Sequence, residues 1–152
     1  MNDEQTTAGV LAPPPLIMGS ALLLGLLLGR GERPAEACTR AAGFAVAAGG
    51  ALLGLATIVA LKRGGTNLDP FKPTTALVTD GVFRWTRNPA YLGLTAIYIG
   101  AAFHARSLTA FALLPPALIV LERGVVEREE RYLEGRFGDA YRAYRESVPR
   151  WF

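Results

Sequence analysis

Two groups of residues in this sequence have the types and spacing to do chemistry. The first is Arg87-Asn88-Pro89-Ala90-Tyr91-Leu92-Gly93, preceded by Asp80-Gly81-Val82-Phe83-Arg84. Here a polar loop runs into an apolar stretch through a proline. Proline suits the first position of a helix, and asparagine is a natural N-cap beside it. A helix that starts this way leaves backbone N–H groups free and partly positive, ready for a carboxylate or phosphate. The plainer alternative is an ordinary cap at a membrane surface with an interfacial arginine and tyrosine. The second group is Glu129-Glu130, flanked by Arg128 and Arg131. Adjacent carboxylates among arginines usually mark a solvated, ion-paired helix surface. The functional alternative has one of them facing inward and holding a cationic group.

A third feature is the ending FGDAYRAYRESVPRWF, which interleaves aromatics with arginines. It suits a segment packed at a membrane interface, or one that closes a pocket over a flat cationic or aromatic ligand. The lone Cys38 and lone His104 offer no internal disulfide and no cysteine- or histidine-rich metal site. Neither has a partner to activate it, so both read as structural. No metal is expected, and no basic, aromatic-rich run suggests nucleic acid.

The elements that must position these groups are apolar. Just over half of the 152 residues are hydrophobic and 19% are charged, and the charges avoid whole stretches. Four stretches result: 10–28, 41–61, 89–103 and 107–121. The first two are long enough to cross the roughly 30 Å hydrocarbon core of a bilayer as helices. Pro13, Pro14 and Pro15 weaken the first near its start. The second is rich in alanine and carries Gly43, Gly49, Gly50 and Gly54, which suits close helix packing. The last two are short and are separated by His104-Ala105-Arg106, so they form either two crossings or one re-entrant hairpin. Pro115-Pro116 should kink or break the last of them.

Of the 16 basic residues, 12 fall in segments 62–88 and 122–152, which share one side in either case. The positive-inside rule makes that side cytoplasmic, with the N-terminus on it too. Asp3 and Glu4 precede the first stretch without a basic region, so no signal peptide is expected. The loop 62–88 contains GGTNLDPFKP, which argues against regular structure in its first half. In the tail, Glu130, Leu133, Phe137, Tyr141, Tyr144 and Val148 recur at steps of three and four and share one helical face, with Gly138 as a possible interruption. The fold class expected is all-α: a single-domain integral membrane bundle of about four segments, the last two a short hairpin, ending in a cytoplasmic amphipathic helix.

With these blocks in place, the sequence resembles the isoprenylcysteine carboxyl methyltransferase and phospholipid methyltransferase superfamily of membrane enzymes. The resemblance rests on Leu77–Arg84, Arg87-Asn88-Pro89 and Tyr91-Leu92-Gly93. It rests equally on Glu129-Glu130, Leu133, Phe137-Gly138, Tyr141, Tyr144 and Val148-Pro149. It implies S-adenosylmethionine as cofactor, without a Rossmann fold, and a lipophilic acceptor reached from the bilayer. It further implies that Gly81, Arg87, Asn88, Pro89, Tyr91, Leu92, Glu130, Tyr141 and Tyr144 bind the cofactor. Glu129, Arg87 and Arg136 become candidates to act on the acceptor, with Arg131 as a further cation to orient a carboxylate. Many members carry histidine where this chain has Asn88, which can hydrogen-bond but cannot shuttle a proton near neutral pH. A membrane reductase resembling the sterol reductases and a helical scaffold without an active site are the competing readings.

Overall fold

In lipid, a single apolar segment can satisfy its backbone polar groups only as a helix. A computed structural model of the protein describes residues 8–30, 36–67 and 73–151, and among them every regular element is helical. Arg33, Lys72, the middle of the GGTNLDPFKP run and Phe152 lie outside the described residues. Helix α1 (Pro14–Leu28) begins only past Pro13, which takes the N-cap position. Helix α2 (Ala37–Arg63) follows, and a short 3-10 turn at Gly81–Arg84 leads towards α3 (Pro89–Ala105). Arg106 then adopts a left-handed conformation (φ 52°) that turns the chain sharply into α4 (Leu108–Leu121), where the Ser107 hydroxyl accepts the Ala110 N–H. A wide π-helical turn, Glu122–Val126, joins α4 to α5 (Glu127–Phe137), and Gly138 (φ 52°) separates that from α6 (Asp139–Ser147).

Of the kink or break expected from Pro115-Pro116, the break does not occur. Helix runs without interruption from Leu108 to Phe137. Neighbouring helices can hold a proline-bearing segment in register. Here the Tyr98 hydroxyl donates to the Ala110 carbonyl at 2.7 Å, and a Cβ built on Gly25 of α1 would lie 2.5 Å from the Ala110 Cα. A π turn follows α4.

The helices pack antiparallel. Gly43 of α2 abuts Gly100 and His104 near the end of α3, and Gly50 abuts Gly93 near its start. The end of α1 meets the start of α4, while at the opposite end the Leu11 N–H donates to the Gly124 carbonyl. The N-terminal segment, the 73–88 loop and α5–α6 therefore share one end of the bundle. Apolar side chains of α2 point outwards: Phe44 is 72% exposed, and the buried residues of this helix are Gly43, Gly50 and Thr57. A soluble protein would bury the large residues and expose the small or polar ones. The inversion marks α2 as a helix of the lipid phase. Both α2 and the continuous Leu108–Phe137 helix are long and apolar enough to cross a membrane, whereas α1 has 15 residues and α3 has 17.

Candidate functional site

The polar groups collect at the end of the bundle where α3 starts and α5 begins. Loop residues Thr86, Arg87 and Asn88 lead into α3, and the end of the chain is laid across them. The Arg87 N–H donates to the Pro149 carbonyl at 3.0 Å. The Thr86 hydroxyl and the Asn88 side-chain amide both donate to the Arg150 carbonyl, at 2.8 and 3.3 Å. Asn88 does hold the N-cap position of α3, but its side chain makes no capping bond; the chain terminus takes its amide instead.

Glu129 and Glu130, at the start of α5, turn inward. The Glu130 carboxylate accepts from Arg87 Nη1 at 2.9 Å, and from Arg150 Nη2 and Nε at 2.6 and 3.1 Å. The other side of the Arg150 guanidinium reaches Glu122 in the π turn at 2.8 Å. Arg87 and Glu130 are largely shielded, with side chains 10% and 12% exposed, and charges so placed must be paired. The pairing is incomplete in one respect. Arg87 Nε is buried and, among the described residues, has no hydrogen-bond partner.

Beside this cluster the Tyr91 hydroxyl donates to Glu129 Oε2 at 2.7 Å. Burial pushes the Glu129 carboxyl up to about 7; the Tyr91 hydrogen bond opposes the shift and the Glu130 charge adds to it. Tyr141 and Tyr144 of α6 pack edge to face, and with Val148, Leu77, Phe83, Leu133 and Phe137 they form a small apolar cluster. The Tyr144 hydroxyl ties this cluster to the loop by donating to the Phe83 carbonyl at 2.8 Å. Burial raises the Tyr141 hydroxyl above its ordinary value, so it stays protonated beside Arg87.

Of these groups, those of Arg87, Asn88, Tyr91, Glu129, Glu130, Tyr141 and Tyr144 line one side of a cavity of about 690 Å³, within the range of small-molecule sites. The other side is apolar, with Gly54, Thr57, Ile58 and Leu61 coming from α2. Of the residues singled out in the sequence, Arg87, Asn88, Pro89, Tyr91, Glu129, Glu130, Tyr141 and Tyr144 line this cavity. Gly81 and Leu92 are not among its lining residues, and neither is Arg136, whose Nε donates to the Thr74 carbonyl on an exposed face. Arg131 is exposed and faces Glu127. Two contributors have no motif to announce them. Tyr132 lines the cavity and accepts the Thr74 N–H at 3.0 Å, and only its spacing of three from Glu129 places it on the same helix face. Arg150 registers in the sequence as one tail arginine among seven, yet it is bound to both Glu130 and Glu122.

A model of the phospholipid methyltransferase family matches residues 38–140. The chain is 33% identical over 92 residues to a Schizosaccharomyces pombe protein named protein-S-isoprenylcysteine O-methyltransferase, covering 60% of this chain and 36% of that protein. It is 47% identical over 34 residues to an uncharacterized protein of Haemophilus influenzae, covering 22% of this chain and 54% of that one. The chain thus spans about a third and about half of the length of these curated relatives. No solved structure matches it.

Proposed function

This chain belongs to the phospholipid methyltransferase family, and we propose that it transfers a methyl group from S-adenosylmethionine to a lipophilic acceptor at the cytoplasmic face of a membrane. In this reading four helices cross the bilayer, and the cavity opens between the cytoplasmic end of the bundle and the lipid phase. When bound, S-adenosylmethionine supplies a methyl group activated on a sulfonium. The observation that carries the reading is the shielded Arg87–Glu130 ion pair, 2.9 Å apart, whose two residues both line that cavity. An α-amino acid end brings one carboxylate and one ammonium. Arg87 offers guanidinium donors for the first, and Glu130 is an acceptor for the second.

The remaining residues fit the same chemistry. Tyr141 and Tyr144 wall the site, and the apolar side excludes water and admits a hydrocarbon acceptor. Displacement at a sulfonium methyl needs alignment more than acid–base help. A carboxylate acceptor reacts as it stands. An amine or thiol must lose a proton, and Glu129, held by Tyr91 at the cavity wall, is the group that would take it.

The test is calorimetry of S-adenosylhomocysteine binding to detergent-purified protein. Wild type should bind saturably. Arg87→Met and Glu130→Gln should each weaken binding about 30-fold or more, as expected when one partner of a buried charge pair is removed. Well-folded wild type that ignores S-adenosylhomocysteine and binds a nicotinamide dinucleotide would turn the reading to a reductase.

A further inference from the structure

We infer that Arg150 is a positioning residue for the cavity: it holds the Glu130 carboxylate and the Arg87–Asn88 loop in place for the zwitterionic end of the ligand. The inference rests on the proposed function above and extends it to the end of the chain. Two separate parts of Arg150 act on two separate walls of the site. Its carbonyl oxygen receives the Thr86 hydroxyl and the Asn88 amide, which fixes the loop. Its guanidinium grips both oxygens of Glu130, which fixes the α5 wall.

The grip on Glu130 has a consequence for ligand binding. Without Arg150, the only cation on Glu130 among the described residues would be Arg87, and a shielded pair at 2.9 Å would close on itself. A ligand would then have to break that pair unaided. With Arg150 present, Glu130 keeps a cationic partner when Arg87 turns to a carboxylate, and a carboxylate held by a fork cannot rotate away from an arriving ammonium. Charge balance points the same way. Arg87 and Arg150 face Glu130 and Glu122, two cations against two anions, so a ligand end carrying one charge of each sign enters without a net imbalance.

The helix is built to present both carboxylates to Arg150. Residues 122 and 130 are eight apart, which in a regular α-helix leaves them about 80° out of line. The π turn Glu122–Val126 widens the winding between them, and both reach one guanidinium. Such turns are uncommon and concentrate at functional sites.

The experiment compares two probes: S-adenosylhomocysteine, and 5′-methylthioadenosine, which shares the nucleoside and lacks the amino-acid end. Arg150→Met should weaken S-adenosylhomocysteine at least about tenfold and leave methylthioadenosine unchanged, and Arg150→Lys should recover part of the loss. Should Arg150→Met fail to fold, Glu122→Gln loosens one side of the same guanidinium and should show the same selective loss at smaller size. Equal loss of both probes would mean that Arg150 only holds the tail together, and no loss of either would remove it from the site; each outcome overturns the inference while wild-type binding keeps the parent reading intact. Absence of S-adenosylhomocysteine binding by wild type would overturn both.

Discussion

The two ends of the α2–α3 pair use the same small residues for opposite purposes. From the α3–α4 turn to the rim of the cavity, Gly43 meets Gly100 and Gly50 meets Gly93 so closely that a Cβ at any of the four would fall within 2.7 Å of the opposing backbone, and the second pair lines the cavity. The spacing is seven residues on each helix, and the seam is sealed. One turn beyond Gly50, a Cβ on Gly54 would meet nothing within 4 Å, and that residue lines the cavity. Glycine therefore closes the helix pair as far as the rim of the cavity and leaves room one turn beyond it. The lesson is that a run of small residues encodes close approach or open volume according to what faces it, which no local pattern specifies.

The sharpest way to break this contrast is to add the same side chain at both ends. Gly100→Leu places its Cβ 2.5 Å from backbone atoms of Ala47 and Gly43, which no rotamer change can relieve. Overpacking typically costs about 1–3 kcal/mol and more where backbone is struck. The variant should lose its monodisperse peak in detergent. Gly54→Leu should fold like wild type and keep S-adenosylhomocysteine binding. Its methyl transfer to extracted membrane lipids should fall about tenfold or more, because the added side chain occupies the apolar side of the cavity. Comparable damage from both substitutions would mean that the two ends do not differ.

The same distinction explains what could be read before the structure. The apolar stretches are legible because a charge-free run leaves few options in lipid, and Arg87-Asn88-Pro89 marks a helix start by local chemistry. The tail face is legible too, since Leu133, Phe137, Tyr141, Tyr144 and Val148 recur at helical spacing and do form a packed cluster. Pro115-Pro116 do not settle whether α4 continues, because a proline's effect on a helix depends on its neighbours. Tyr98 and Gly25, which hold α4 in place, are remote in sequence. The role of Arg150 is hidden for the same reason: its partners Thr86, Asn88, Glu122 and Glu130 come from two other segments. Asn88 shows the limit most clearly, because its residue type predicts its position but not where its amide goes.

A smaller effect sharpens the contrast at the polar end. Burial raises the Glu129 carboxyl from 4.5 to about 7, so the folded state holds this proton more tightly than the unfolded chain. Stability from this group is complete below about 4.5 and is lost as pH rises through about 7. The melting temperature of the wild type should fall across that window, and Glu129→Gln, which cannot ionise, should be flatter. Catalysis should move the other way with an amine acceptor. Only the ionised carboxylate can accept a proton, so the rate should rise through about pH 7 in the wild type. A rate that ignores pH in this range would favour a carboxylate acceptor, which needs no base.

The smallest expected effect lies at the sealed end and asks whether the two ends are coupled. Ser107 caps α4 by accepting the Ala110 N–H at 3.2 Å, and its hydroxyl lies 3.4 Å from the Gly25 carbonyl of α1. Ser107→Ala removes both bonds without adding volume, and loss of such a cap typically costs about 1 kcal/mol. The melting temperature should fall by a few degrees. S-adenosylhomocysteine affinity should not change, because Ser107 belongs to the turn between α3 and α4, at the opposite end of the bundle from Glu130. If affinity falls in step with stability, then the α3–α4 hairpin moves as one body with the site, and the sealed seam is part of what holds the cavity open.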